Sequence, residues 1–427
     1  MAYSDLTTMQ LESIKRELEA EHAAFAAEKL ALNMARGKPS PDQLALSMPL
    51  LDIIGSSADF RAEDGTDCRN YGVCTGIPEA RRLMGEMMEH DPEQVFVFGN
   101  SSLNIMYDLV CQGYVHGYLG QRPWKDLDRI KWLCPVPGYD RHFAITESFG
   151  IEMIPIACTE SGPDMDEIEQ LVSADSSIKG IWCVPQYSNP GGITYSDETV
   201  ERLASMECAA ADFRIFWDNA YCVHHIADHH AHVADIAKHC NRAGNPDRYF
   251  KFASTSKITF PGAGIAAVAA SPENLKQIER RIGIQTVGYD KLNQLRHVRF
   301  LKDLAGIEAH MAKHAEIIAP KFKIVEDMLA EGLKDTGCGR WSCPDGGYFI
   351  SFTGPDGTAK RTVELAKSAG VTMTKAGATW PLGIDPHDSN IRIAPTLPSA
   401  DELRMAMEVF ICSVKLASIE AILNSRN

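Results

Sequence analysis

The chain has 427 residues, of which 45% are hydrophobic and 23% charged. This composition is that of a globular protein of about two or three domains, and it excludes disordered, fibrous and repeat-array chains. The net charge of −15 at pH 7 repels phosphate backbones and anionic lipid, so we expect no nucleic-acid partner and no membrane partner.

The amino-terminal segment and the cysteines predict where the protein works. Carboxylates lie where a secretion signal needs an apolar core, and the longest apolar runs, such as residues 263–270, fall well short of the roughly 18 residues of a membrane-spanning helix. The 12 cysteines form no Cys-x-x-Cys pair, which favours reduced thiols over disulfides or a zinc ribbon. The sequence therefore predicts a cytoplasmic protein.

The predicted elements begin with an amphipathic helix over residues 5–32, in which Leu11, Ile14 and Leu18 recur at helical spacing. A loop rich in glycine and proline follows over residues 33–42, and it offers Arg36 and Lys38 to an anion. From about residue 94 to residue 221, short apolar runs alternate with amphipathic stretches. That alternation is typical of βαβ units and predicts a mostly parallel sheet covered by helices on both faces.

The last part of the chain predicts a smaller α+β domain. Residues 302–333 and 400–423 have helical patterns, and the runs GYFISF and NIRIAP read as strands. We predict an amino-terminal arm and part of the small domain over residues 1–50, a large domain over residues 51–300, and the small carboxy-terminal domain over residues 301–427.

Polar residues follow several of the apolar strands at the point where each strand ends. Asp218 follows FRIFW, Asn189 lies in a turn after CVPQ, Ser101 and Ser102 precede an apolar helix, and Lys257 follows YFKFASTS. Each of them alone is most often a turn residue, a helix cap or a solvated lysine. Together they indicate one ligand site, because the carboxyl ends of parallel strands share one sheet edge.

Four motifs carry a resemblance to a known family: Asn189-Pro-Gly-Gly192, Asp218-Asn-Ala-Tyr221, Ser254-Thr-Ser-Lys257 and Asn390-Ile-Arg-Ile-Ala-Pro395. In this order the chain resembles the aspartate aminotransferases, class I aminotransferases of fold type I, and the resemblance covers nearly the whole chain. The segments ARGKPSP and QLRHVRFL resemble a divergent subgroup. The resemblance implies an α/β fold, pyridoxal 5′-phosphate as cofactor, amino acid and 2-oxo acid substrates, and a homodimer.

The resemblance also implies catalytic roles for Lys257, Asp218 and Tyr221. Lys257 would form the Schiff base with the cofactor aldehyde and then move the substrate proton, Asp218 would keep the pyridine nitrogen protonated, and Tyr221 would hydrogen-bond the ring hydroxyl oxygen together with Asn189. Tyr139 matches the aromatic residue that stacks on the ring. The other residues expected around the cofactor are Asn100, Ser101, Ser102, His142, Ser254, Ser256 and, from the neighbouring subunit, Tyr71.

Substrate binding is implied for Arg392, which matches the arginine that grips the α-carboxylate, with Asn189 and with Gly37 and Lys38 in a closing loop. Two departures from the family pattern stand out. Gly264 occupies the position of a phosphate-binding arginine, and no residue aligns with the arginine for the distal carboxylate of aspartate. The candidates for that distal cation are Lys38, Arg141, Arg296 and Arg299.

The predicted reaction converts L-aspartate and 2-oxoglutarate to oxaloacetate and L-glutamate by a ping-pong mechanism, with another amino acid, such as alanine or an aromatic one, as the alternative substrate. A loose GxGxxA over residues 262–267 leaves an NAD-dependent dehydrogenase as a remote alternative. The histidine-rich residues 224–232 lack a recognisable ligand spacing, so we expect no metal. A transcription regulator built on this fold would need a DNA-binding module for which the acidic chain has no room.

Overall fold

The computed structural model describes residues 2–426. The α-helices are α1 (Thr8–Ala27), α2 (Pro41–Ala45), α3 (Pro78–Met88), α4 (Ser102–His116), α5 (Asp140–Ser148), α6 (Met165–Ala174), α7 (Asp197–Ser205), α8 (Ile236–Arg242), α9 (Pro272–Gln285), α10 (Lys291–Leu301), α11 (Leu304–Gly332), α12 (Ala359–Ser368) and α13 (Ala400–Arg426). The strands are β1 (Leu32–Asn33), β2 (Val95–Val97), β3 (Lys131–Val136), β4 (Glu152–Thr159), β5 (Gly162–Pro163), β6 (Ile178–Cys183), β7 (Arg214–Asp218), β8 (Tyr249–Ser254), β9 (Ala266–Ala269), β10 (Arg340–Trp341), β11 (Ile350–Thr353), β12 (Val371–Thr372) and β13 (Asn390–Ile393).

The central sheet has eight strands in the order β2-β9-β8-β7-β6-β3-β4-β5. Its middle is parallel, since β4, β3, β6, β7 and β8 pair in the same direction. The outer pairs β2–β9, β8–β9 and β4–β5 are antiparallel. The predicted mostly parallel sheet is confirmed, and it brings the carboxyl ends of β3, β6, β7 and β8 to one edge.

Helices cover both faces of this sheet because the middle strands are apolar on both sides. Along β7, Phe216 packs into a cluster with Ile105 of α4, whereas its neighbour Trp217 packs into another cluster with Ile168 of α6 and Val200 of α7. Successive side chains of a strand point to opposite faces, so one strand supplies both layers of core. The polar last residue of β7 lies where this apolar sandwich ends.

The carboxy-terminal part contains the antiparallel sheet β10-β11-β13 and the helices α11, α12 and α13. The amino-terminal segment packs against it, since β1 pairs with β12 in parallel and Leu11 and Leu18 of α1 share an apolar cluster with Leu416 and Ile419 of α13. The division at residues 50 and 300 stays a prediction.

Three helix boundaries differ from the expectation. The helix predicted over residues 5–32 begins only at Thr8, because Thr7 and Gln10 form a capping box that fixes the start. It ends at Ala27, and Leu32 lies in the strand β1 instead. The last helix continues to Arg426 rather than stopping near residue 423, and its Arg426 donates to the carbonyl oxygens of Leu6 and Ser4 at 2.8 and 2.9 Å. Within residues 2–426, no helix is both long and apolar enough to cross a bilayer.

Candidate active site

The ends of the parallel strands surround a cavity of about 160 Å³. Its wall combines the end of β7, the segments that follow β3, β6 and β8, and the beginning of α4. Nine of the residues expected around the cofactor line it: Ser101, Ser102, Tyr139, Asn189, Asp218, Tyr221, Ser254, Ser256 and Lys257. Residues up to 156 positions apart in the sequence therefore meet in one place.

Asp218 lies at the floor of this cavity and is 3% exposed. Its Oδ2 is 3.0 Å from Nε2 of His142, whose ring stacks on Trp182 with centroids 4.6 Å apart. The other oxygen, Oδ1, is buried and has no hydrogen-bond partner among the described residues. An unpaired buried carboxylate oxygen is costly, so the site is built to receive a proton-bearing group there.

Lys257 provides the amine of the cavity. Its Nζ lies 4.9 Å from the centroid of the Tyr221 ring. Burial lowers the pKa of Lys257, the charge of Asp218 opposes this, and the charge of Arg392 adds to it. A lowered pKa leaves a larger uncharged, nucleophilic fraction at neutral pH than a solvated lysine has. Burial also raises the pKa of Tyr221 well above its ordinary value, so its phenol keeps a proton to donate.

The beginning of α4 forms the anion-binding end of the cavity. Ser101 is the N-cap residue, and its side chain makes no capping hydrogen bond, which leaves first-turn N–H groups for a ligand. Ser254 Oγ donates to Ser256 Oγ at 3.2 Å, and Ser256 Oγ donates to the carbonyl of Asn100 at 3.0 Å. Hydroxyls and free N–H groups beside a helix N-terminus fit a phosphate.

Gly264 has no room for a side chain. A Cβ atom there would lie 2.9 Å from Oγ1 of Thr255, so the family's arginine has no place in this loop. Nδ2 of Asn293 on α10 donates to the carbonyls of Ala263 and Gly264 at 3.0 and 2.8 Å. Arg296 donates to Oδ1 of Asn293 at 2.5 Å. Arg296, one of the candidates for binding the distal carboxylate, is therefore held at the loop around Gly264, where the family has its phosphate-binding arginine.

Arg392 on β13 reaches the cavity from the small sheet and is 6% exposed. Its Nη1 donates to Oδ1 of Asp140 at 3.0 Å and to Oδ1 of Asn189 at 3.2 Å. Nε is buried without a partner among the described residues, and Nη2 has one long contact, 3.5 Å to Thr374 Oγ1. The Nε–Nη2 edge of the guanidinium is therefore open to a carboxylate, which binds such a fork through both oxygens.

Residues 6–426 match the aspartate amino-transferase family. The chain belongs to this family. An aspartate aminotransferase of Corynebacterium glutamicum is 45% identical over 410 residues, which is 96% of this chain and 94% of that protein. The crystal structure of an aspartate transaminase from the same species has a TM-score of 0.96 at 43% identity and covers 99% of both chains.

The α-aminoadipate aminotransferase of Thermus thermophilus, crystallised with N-(5′-phosphopyridoxyl)-L-leucine, has a TM-score of 0.71 at 19% identity and covers 92% of this chain and 93% of that chain. At this identity it shows the fold alone. The protein is thus an aminotransferase of fold type I, and the predicted family and fold class are confirmed.

The loop over residues 36–38 packs against the ring of Phe349, on the side of the aminotransferase site where Arg392 lies. A Cβ atom on Gly37 would lie 2.6 Å from Cζ of Phe349, the ring over which the Arg392 guanidinium lies at 4.8 Å. Only glycine permits this approach. The carbonyl of Lys38 accepts from Thr396 Oγ1 at 2.9 Å, whereas the Lys38 side chain is exposed. The structure thus brings Gly37, but not the amine of Lys38, to the site.

Several expected residues lie outside the lining of the aminotransferase cavity. Tyr71 is 84% exposed, and Arg141, on the first turn of α5, is exposed as well. Arg299 makes one long contact, 3.5 Å to the carbonyl of Arg61. Asn100 borders the site through its backbone carbonyl, which accepts from Ser256 Oγ. Its side chain donates to the carbonyl of Pro261 at 3.3 Å.

The structure adds residues that the sequence analysis missed. Asp140 lies inside the motif PGYDRH and follows the end of β3, and this position after an apolar strand is the sequence signal that marks it. Phe349 and its neighbour Tyr348 precede β11, about 90 residues after Lys257, and no local pattern marks them as part of the site. Their placement depends on how the small sheet packs against the large one.

Two alternative signals have ordinary structural explanations. The GxGxxA run leads into the strand β9 rather than a helix, so it lacks the helix N-terminus that a dinucleotide site needs, and the dehydrogenase alternative is wrong. The histidines of the run have separate partners: His224 is buried, and His225 stacks on His230 with centroids 4.0 Å apart while its Nδ1 contacts Tyr187 Oη at 2.7 Å. His232 pairs with Glu89 at 3.2 Å. Over residues 2–426, no three histidine, cysteine or acidic side chains form a group that could hold a metal.

Proposed function

We propose that this aminotransferase uses pyridoxal 5′-phosphate to transfer the amino group of L-aspartate to 2-oxoglutarate, in two half-reactions of a ping-pong cycle. The observation that carries the proposal is the pairing, in one cavity, of an amine with a lowered pKa and a buried carboxylate oxygen without a partner. An aromatic nitrogen base that carries an aldehyde is the ligand that uses both.

The residues present fit this cofactor at each of its ends. Oδ1 of Asp218 would accept from the ring nitrogen, the first turn of α4 with Ser254 and Ser256 would hold the phosphate, and Tyr139 lies beside His142 at the ring face, with centroids 4.9 Å apart. The bound cofactor supplies an aldehyde that condenses with amines and a ring that accepts an electron pair from the substrate.

The protein's own groups then perform the proton transfers. Lys257 carries a proton to and from the substrate Cα, and its lowered pKa enlarges the uncharged fraction that acts as a base. His142, 3.0 Å from Oδ2 of Asp218, orients this carboxylate. Tyr221, whose raised pKa keeps its phenol protonated, would donate a hydrogen bond to the cofactor hydroxyl oxygen. Asn189, the other residue expected at that oxygen, accepts from Arg392 at 3.2 Å.

The open Nε–Nη2 edge of Arg392 would bind the α-carboxylate that every amino acid substrate has. Aspartate and 2-oxoglutarate carry a second carboxylate. Among the candidate cations we assign it to Arg141, which directly follows Asp140, the residue that pairs with Arg392 at 3.0 Å. The C. glutamicum relative, an aspartate aminotransferase by name, supports the dicarboxylate substrate.

A substrate panel tests this proposal. We expect kcat/KM for aspartate to exceed that for alanine and for aromatic amino acids, because only a dicarboxylate neutralises both arginines. Arg392→Leu should lower kcat/KM for every substrate by about 10²-fold or more. Arg141→Leu should lower it for aspartate and leave alanine within about twofold. A higher kcat/KM for alanine or phenylalanine in the wild-type enzyme would show that the dicarboxylate assignment is wrong while the aminotransferase reaction stands.

The exposed Tyr71 supports a second part of the proposal, a homodimer whose subunits complete each other's sites. Tyr71 lies next to Val287, since Gly72 N–H donates to the Val287 carbonyl at 3.1 Å. The apolar side chains Tyr71, Val287 and Ile284 are 84%, 62% and 79% exposed. Large apolar side chains left exposed together mark an interface, and the family resemblance gives Tyr71 a role at the neighbouring phosphate.

Mixed dimers give a sharp test of this arrangement. We expect Tyr71→Ala and Lys257→Ala to be impaired alone, whereas refolding them together produces hybrids in which one site has both residues. Random pairing makes half of the dimers hybrids with one intact site, so activity should rise to about one quarter of wild type. The control mixes Tyr71→Ala with the double variant Tyr71→Ala/Lys257→Ala and should restore nothing. If both mixtures behave alike, Tyr71 does not act across an interface.

A further inference from the structure

Behind Lys257, away from the cavity, lies a buried hydrogen-bonded group that neither the motifs nor the catalytic residues account for. Its members come from distant parts of the chain: Gln43 lies on α2, His310 and His314 lie on α11, and Tyr348 precedes β11. All four are between 0% and 7% exposed. Buried polar side chains of this kind persist where each one has a defined partner.

The proton positions in this group follow from its contacts. The amide oxygen of Gln43 accepts from the N–H of Ser40 at 3.0 Å, so its Nε2 is the donor. That nitrogen donates to Tyr348 Oη at 2.9 Å and to Nδ1 of His314 at 3.1 Å. A neutral imidazole that accepts at Nδ1 carries its proton on Nε2. His314 therefore presents Nε2–H to its surroundings.

His310 and Tyr348 meet the backbone beside the reactive lysine. His310 Nε2 is 2.9 Å from the carbonyl oxygen of Ile258, and His314 Nε2 lies 3.2 Å from Nε2 of His310. Tyr348 Oη donates to the carbonyl of Lys257 at 3.4 Å. Two successive carbonyls, on Lys257 and on the residue after it, are thus held from one side.

Burial favours the neutral form of both imidazoles. Burial lowers the pKa of His314 to about 4, with the neighbouring His310 adding to the shift. Burial likewise lowers the pKa of His310. Both shifts favour the neutral imidazoles near neutral pH, so the group places no cationic ring beside Lys257.

We propose that the four side chains of this group form a brace: Gln43, His310, His314 and Tyr348. The brace holds the carbonyls of Lys257 and Ile258 and thereby positions the amine of Lys257. The brace also joins Lys257 to the amino-terminal loop at the substrate end, because Gln43 follows Lys38 by five residues. These are positioning residues, since none of the four lines the ligand cavity. The catalytic part of this inference rests on the proposed role of Lys257.

Tyr348→Phe is the test with the smallest change, since the ring that stacks on Tyr221 remains and only the hydroxyl is lost. We expect kcat to fall about tenfold with KM for aspartate unchanged, because misplacing a reacting group slows chemistry without removing a substrate contact. The pH midpoint of the cofactor's visible absorbance band should shift as well. Gln43→Met, which removes both donors at similar volume, should act in the same direction.

The matched control is Tyr118→Phe. Tyr118 is equally buried, its Oη donates to the carbonyl of Leu109 at 2.6 Å, and neither residue lines the cavity. It should lower the unfolding temperature as Tyr348→Phe does, yet leave kcat and the absorbance midpoint at wild-type values. The brace is refuted if Tyr348→Phe and Gln43→Met keep the wild-type kcat and midpoint, or if Tyr118→Phe shifts them equally.

Hydrogen exchange in the cofactor-free protein separates this inference from the proposed function. A peptide covering residues 255–260 should exchange faster in Tyr348→Phe than in wild type, and Tyr118→Phe should leave it unchanged. This readout does not depend on the cofactor, so it stands even if the protein fails to bind pyridoxal phosphate. Unchanged exchange in Tyr348→Phe contradicts the brace whatever the reaction is.

Discussion

Lys257→Ala should lower kcat by more than about 10⁴-fold, because it removes the nucleophile and the base of the reaction at once. Transamination assays on the purified variant, loaded with pyridoxal phosphate, measure this loss. Borohydride treatment of the wild-type protein should fix the cofactor to the peptide that contains Lys257, and the variant should bind it only reversibly.

The control for this prediction is Lys321→Met. Lys321 is another buried lysine, and its Nζ donates to the carbonyl of Thr396 at 2.8 Å. Methionine keeps most of its volume, so this variant should retain the fixed cofactor and most of its activity. An adduct that maps to a different lysine would show that Lys257 has been assigned wrongly.

Asp218→Ala should lower kcat by about 10²- to 10³-fold, because no other group holds a proton on the ring nitrogen in a water-excluded site. Asn189→Ala should cost about tenfold, the worth of one hydrogen bond. Steady-state kinetics on both variants gives the ranking. The difference in kcat follows from Oδ1 of Asp218, because this buried oxygen has no hydrogen-bond partner among the described residues and is free for the ring nitrogen.

Asp218→Asn supplies the matched control for volume. The amide fills the same space and still meets His142, but it carries no charge to keep the ring nitrogen protonated. We expect Asn at this position to lose nearly as much kcat as Ala. Equal losses for Asp218→Ala and Asn189→Ala would count against the role given to the carboxylate.

The sequence by itself determined which residues meet at the cofactor end of the site. Asp218, Asn189 and Lys257 each follow an apolar run, and the runs are neighbouring strands of one parallel sheet. Parallel strands place their carboxyl ends at one edge, so the order of motifs along the chain already fixes their convergence. Strand and helix periodicity also predicted the fold class, because both depend on neighbouring residues only.

The tertiary structure alone decided the substrate end and the support behind the lysine. Asp140 meets Arg392, Gly37 packs on Phe349, and α10 brings Arg296 to the loop around Gly264. These contacts join segments separated by tens to hundreds of residues, and their side chains carry no periodic signal. They depend on how the small sheet, α11 and the amino-terminal segment pack against the large sheet, which is set by the summed burial of apolar surface rather than by any local pattern.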